Sequence, residues 1–209
     1  MRNICKSKLL FLISVLTLIF ALTATYAQNV GKDISQSVLR FHIIANSNSD
    51  ADQSLKLKVR NKIISDAGQL FSNCQSLDEA IKIANTNNQK LKQIAEKEIH
   101  AQGFDYPVNI SVVKTAFPTK TYGNITLPSG KYTALRLEIG EAKGENWWCV
   151  MYPPLCFTDG VLSASDLANS KLKSELKPSE YSLITKENSG AIPVEIRFKI
   201  VEVFQNLLD

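Results

Sequence analysis

At 209 residues and 44% hydrophobic content, the chain has room for one domain with a real core, and it is too apolar to remain disordered. Its 24 Lys and Arg face 20 Asp and Glu, but Arg2, Lys6 and Lys8 lie in an acid-free N-terminal segment, and setting them aside leaves 21 bases against 20 acids. That balance excludes the strong basic bias expected of a nucleic-acid-binding protein.

Met1–Lys8 carries those three charges, Leu9–Ala24 is apolar, and Thr25 and Ala27 are small residues at −3 and −1 of a cleavage point after Ala27. This is the layout of a secretory signal. The apolar run is slightly long for a signal and slightly short for a spanning helix, so a retained anchor is the alternative. Either way, residues 28–209 are expected outside the producing membrane as a single extracytoplasmic domain. Cys5 precedes the apolar run, whereas a lipoprotein cysteine would follow it.

Val38–Ala45 reads as a strand, apolar except for Arg40 and His42. Asn46–Asp50 is a polar turn whose short side chains compete for nearby backbone. A helix follows, with Asp50 as the expected cap and Gln53 as the second half of a capping box. Leu55, Val59, Ile63 and Ala67 share one face of it, and Lys56, Lys58, Arg60 and Lys62 lie off that stripe. These bases make either a solvated face or a docking surface. Ser76–Glu79 is a second capping box and opens a helix to about His100, with Asn87 and Asn88 as a polar gap and Gly103 as its stop. The short connection predicts two antiparallel helices. His100 suits the negative end of its helix, and no second ligand at helical spacing makes it a metal site.

From Tyr106 the pattern changes to strands. Val108, Ile110 and Val112 alternate, Thr121–Leu127 and Lys131–Ile139 are strands divided at Pro128–Gly130, and Trp147–Tyr152 is a strand ended by Pro153 and Pro154. Gly140–Asn146 reads as a polar hairpin loop. Ser163–Glu175 suits a weak helix, Leu176–Ile192 a loop and Glu195–Leu208 a terminal helix. The expected fold is α+β: a signal segment, then a helical hairpin packed on a mainly antiparallel sheet. Whether the Val38 strand runs parallel to a neighbour is open.

No glycine-rich phosphate loop, zinc pair or nucleophile elbow is present in the sequence, and no cofactor is expected. Cys149 and Cys156, seven apart, can form a disulfide outside the cytosol, remain two buried thiols, or supply a nucleophile. Cys74 is then unpaired. A Cys149–His42 pair is the one nucleophile–base arrangement available. Trp147 and Trp148 alternate on their strand, so one should face the core and the other can anchor a partner. Two surfaces therefore compete as a partner-binding site: the region of Trp147 and Trp148, and the basic helix face at Lys58 and Lys62.

Four segments together resemble one family: Arg40–Ser47 with the helix Asp52–Arg60, Phe117–Gly123, Gly130–Gly140 and Asn146–Phe157. In this order, behind an export signal, they are similar to stage II sporulation protein R of spore-forming Firmicutes. One departure is Ala142, where the family pattern leads one to expect glycine. The resemblance implies a non-enzymatic signal made in the forespore and exported to the space between the two sporulation membranes. It implies as partner a membrane-embedded aspartic protease of the mother cell, which then cleaves pro-sigma-E. It transfers no catalytic residue. Two other classes remain open on the residues: an exported cysteine hydrolase using Cys149 and His42, and a wall- or membrane-binding module using the basic helix face.

Overall fold

The computed structural model describes residues 2–157 and 162–185. The elements are α1 (Arg2–Ser35), β1 (Leu39–Ile44), α2 (Asp50–Ser72), α3 (Leu77–Thr86), α4 (Asn88–Ala101), β2 (Val108–Phe117), β3 (Lys120–Tyr122), β4 (Ile125–Leu127), β5 (Gly130–Ile139), β6 (Asn146–Tyr152), α5 (Leu162–Glu175) and α6 (Pro178–Ile184), with a short 3-10 turn at Leu155–Phe157. The fold is α+β, as the patterning predicts. The expected terminal helix at Glu195–Leu208 lies outside the described residues.

The main sheet has the order β2-β5-β1-β6. β1 is parallel to β5 and antiparallel to β6, and β2 is antiparallel to β5. The open question about the Val38 strand thus resolves both ways, one neighbour each. Every residue of β1 is buried, because the strand is central and both faces of the sheet are covered. One face carries α2, α3 and α4, whose Leu55, Val59, Ile63 and Ala67 stripe meets Leu39, Phe41 and Ile43. The other face is packed by Val30 and Ile34 of α1, the β3–β4 hairpin, α5 and α6, against Tyr132, Ala134 and Val150.

α1 runs unbroken past Ala27. It is long and apolar enough to cross a membrane and is compatible with a signal sequence. Leu10, Phe11, Leu16 and Leu22 are exposed, whereas Val30 and Ile34 are buried in the second core. The packed part of the helix therefore begins after the expected cleavage point.

Several local expectations need correction. The cap of α2 is Ser49, whose hydroxyl accepts the Asp52 N–H at 3.2 Å, and Gln53 instead donates to the Ser47 carbonyl at 2.8 Å. The second capping box holds through Ser76, which accepts the Glu79 N–H, but the Glu79 carboxylate takes the N–H of Gln75. The helix after it breaks at Asn87, and Asn88 Nδ2 donates to the Ile110 carbonyl at 3.0 Å. A side chain at the polar gap thus ties the helical layer to β2. The antiparallel packing is as expected: Lys58, early in α2, donates to Gln102, just beyond α4, at 2.6 Å.

Thr121–Leu127 is a tight hairpin of two short strands, turned at Gly123, not one strand. Leu176–Ile192, expected as loop, contains α6, started by Pro178 at its first turn. Gly140–Asn146 is not a hairpin loop, since β1 lies between β5 and β6. The loop therefore steps over the end of β1, and that crossing builds the region described next.

Candidate functional site

The crossing loop is knotted to the β1–α2 turn by hydrogen bonds from both sides. Asn46 Oδ1 accepts the Glu141 N–H at 2.9 Å and Asn48 Oδ1 accepts the Glu145 N–H at 2.7 Å. The Lys143 and Gly144 N–H groups donate to the carbonyls of Asn46 and Ala45 at 3.1 and 2.9 Å. The approach is close enough that a Cβ at Gly140 would collide with Asn46 Oδ1, and one at Gly144 with the Ser47 carbonyl. Ala142 has φ of 52°, the left-handed region that glycine favours, which is why glycine is the expected residue there.

Asp52 is the keystone of this turn. It is 4% exposed, and its Oδ2 accepts Asn46 Nδ2 at 2.9 Å and Ser47 Oγ at 2.6 Å. Burial raises its pKa, but donation from Ser47, Asn46, Tyr106 and Ser49 outweighs burial and holds the carboxyl below its ordinary value. Lys56, expected on a solvated or docking face, is buried here and donates to the Glu145 carbonyl at 2.9 Å. Its ammonium is consumed in supporting the loop.

β6 leaves this loop carrying both tryptophans, which point to opposite faces as alternation requires. Trp147 lies on the helical side, edge-on to Phe41 at 6.0 Å, with the Arg60 guanidinium 4.9 Å from its ring centroid. Trp148 lies on the other face, stacked on His42 at 4.0 Å and against Phe117 at 4.7 Å. Both are half-buried, so neither is the fully core-facing residue that the alternation led us to expect. Lys58 and Lys62 do not join them. Lys58 turns to Gln102 and Lys62 pairs with Asp66 at 3.0 Å, and both positions lie roughly 160° around the helix from Arg60. The base that meets a tryptophan is Arg60, which side-chain periodicity alone could not single out from its three neighbours.

Behind Trp148 is a fully buried arginine. Arg40 is enclosed by Phe117, Tyr132 and Tyr122, at 4.3, 4.9 and 5.5 Å from its guanidinium carbon. It donates to the Tyr122 hydroxyl at 3.0 Å, which donates to the Trp148 carbonyl at 3.3 Å. The arginine thereby fastens the β3–β4 hairpin over the sheet. His42 Nε2 lies 2.6 Å from Asn146 Oδ1. Burial pushes its pKa below the ordinary histidine range, with Arg136 adding to the effect and the Asn146 bond opposing it. No sequence signal pointed to the aromatic enclosure, because Phe117, Tyr122 and Tyr132 come from three different strands.

The hydrolase arrangement does not form. In the β1–β6 register Cys149 faces Phe41 while His42 faces Trp148, so Cys149 and His42 lie on opposite sides of the sheet. The Cys149 and Cys156 sulfurs are joined as a disulfide with Cα atoms 5.6 Å apart, and Cys74 is a free, buried thiol. His100 pairs with exposed Asp105, and among the described residues no group of three metal-ligating side chains assembles. The disulfide closes a short loop, so Cys149→Ser should cost about 2 kcal/mol, the low end for such bridges. Denaturant unfolding of the oxidised and variant chains checks this. Equal stability of the oxidised and variant chains would show that the bridge adds nothing to the fold.

Residues 35–161 match the profile of the family described as stage II sporulation protein R. The match exceeds half of the chain, and the chain belongs to that family. The stage II sporulation protein R of Bacillus subtilis (strain 168) is 35% identical over 137 residues, which cover 66% of this chain and 61% of that relative. No solved structure matches the chain.

Proposed function

We propose that this chain is an exported signal of endospore formation, made in the forespore and delivered to the space between the two sporulation membranes. There it activates a membrane-embedded aspartic protease of the mother cell, which cleaves pro-sigma-E. Family membership over residues 35–161 carries the reading. An apolar N-terminal helix compatible with export, ahead of a packed domain, supports it. In this reading the domain from Gln28 onward works as a ligand and not as an enzyme. Its contact with the protease centres on Trp147 and Trp148, with Lys58 and Lys62 steering the approach.

Export is the first requirement of such a signal. A chain beginning at Gln28, made in the producing cell without any signal, should remain inside and leave pro-sigma-E unprocessed. Immunoblotting of pro-sigma-E in sporulating cells reads the outcome. Normal processing driven by the retained form would overturn the proposal.

A further inference from the structure

The residues around Trp147 make a second, outward ridge on α2. The helix already buries Leu55, Val59, Ile63 and Ala67. Leu57, Arg60, Asn61 and Ile64 follow at spacings of three and four, so they share a different face. Among the described residues Leu57 is the one large apolar side chain outside α1 that is exposed, at 40%. Ile64 and Trp147 are half-exposed at either side of Arg60, and Asn61 is exposed.

Arg60 is arranged as a receiving group. Its guanidinium carbon lies over Trp147, 4.9 Å from the ring centroid, which holds the group against the ring. Nε and Nη2, two donors of the planar fork, both turn to Asn61 Oδ1, at 2.9 and 2.7 Å. The adjacent residue's neutral amide oxygen thus takes the place that a carboxylate would fill with charge-assisted bonds. The charge of the ridge itself is that of Arg60, since Lys56 is buried under the crossing loop and Lys58 and Lys62 lie on the opposite flank, and α2 carries no acid between Asp52 and Asp66 to neutralise it.

We infer that the Leu57–Arg60–Asn61–Ile64 ridge with Trp147 receives an acidic segment of a protein partner. A partner carboxylate displaces Asn61 from the Arg60 fork, and a neighbouring apolar side chain of that segment packs on Leu57 and the Trp147 ring. The inference rests on the signalling reading above and names the chemistry of its contact.

The test uses the full chain with its export segment in sporulating cells, scoring pro-sigma-E processing and the amount of folded, exported protein. Arg60→Glu should reduce processing at least tenfold at equal export. Arg60→Lys, which keeps charge but not the fork, should give an intermediate loss. Asn61→Asp fills the fork from within the same chain and should also reduce processing. Asn61→Ala opens the fork and should leave processing at or above the wild-type level. Both Asn61 changes are on the exposed surface, so they report even if Arg60→Glu folds poorly. Suppressors of Arg60→Glu that change an acidic residue of the protease to a basic one, and rescue only that allele, would identify the partner carboxylate. Wild-type processing by Asn61→Asp, or equal losses from Asn61→Asp and Asn61→Ala, would overturn the inference while leaving the signalling reading intact. A wild-type exported chain that never promotes processing would instead defeat the signalling reading itself.

Discussion

Asp52→Ala should lower the unfolding free energy by about 3 kcal/mol or more. The carboxylate is buried and accepts from Asn46 and Ser47 at 2.9 and 2.6 Å. Removing it strands those donors, and Asn46 is also the residue that holds the Glu141 N–H of the crossing loop. The loss should therefore exceed that of an isolated hydrogen bond and should couple to the loop. Asn46→Ala combined with Asp52→Ala should cost less than the two single changes added together. Urea unfolding of the four chains in such a cycle measures the coupling, and strict additivity would show that the two residues act independently.

The same carboxylate gives the turn a pH dependence whose sign is fixed by its depressed pKa. An unfolded Asp titrates near 3.9, about where an unperturbed side chain does. A group held lower in the folded state adds stability above that value and loses its contribution as pH falls through the folded-state value. Asp52→Asn lacks this term. The stability gap between wild type and Asp52→Asn should be full near neutrality and narrow as the pH drops below about 4. A gap independent of pH would assign the residue's value to shape alone.

The sequence showed the β1–turn–α2 unit and hid what it is for. Its strand, polar turn and buried stripe are local patterns, and local periodicity reports them well. The function of the turn depends on residues some 95 positions away, as in the Asn46–Glu141 and Asn48–Glu145 contacts. A short polar loop between two strands reads as a hairpin because adjacent strands usually pair. Nothing local announces that β1 is inserted between them. Lys56 follows the same rule: it lies off the stripe and so reads as exposed, and the Glu145 carbonyl that makes its burial tolerable comes from that loop. The cysteine–histidine question was closer to the surface of the sequence. Once Cys149 and Trp148 are placed on one strand and His42 is paired with Trp148, alternation alone separates Cys149 from His42.

The two tryptophans should separate stability from signalling. Trp148 is wedged between His42 and Phe117 and lies over the buried Arg40 hairpin clasp, so Trp148→Ala should cost about 3 kcal/mol in folding. Trp147 packs on the helical core edge-on to Phe41, is only partly buried there, and meets Arg60 on the exposed ridge. Its truncation should be milder for folding and severe for signalling. A desolvated tryptophan anchor costs about 2 kcal/mol or more when truncated, roughly a 30-fold loss in affinity. Lys58 and Lys62 are engaged with Gln102 and Asp66 on the far flank of α2, and exposed charges of this kind chiefly tune association rate and salt dependence. At equal folding and export, Trp147→Ala should therefore reduce pro-sigma-E processing more than the Lys58→Glu, Lys62→Glu double variant. Its defect should also persist in high salt, where steering is already screened. The reverse ranking would move the contact to the α2–α4 flank and remove Trp147 from the interface.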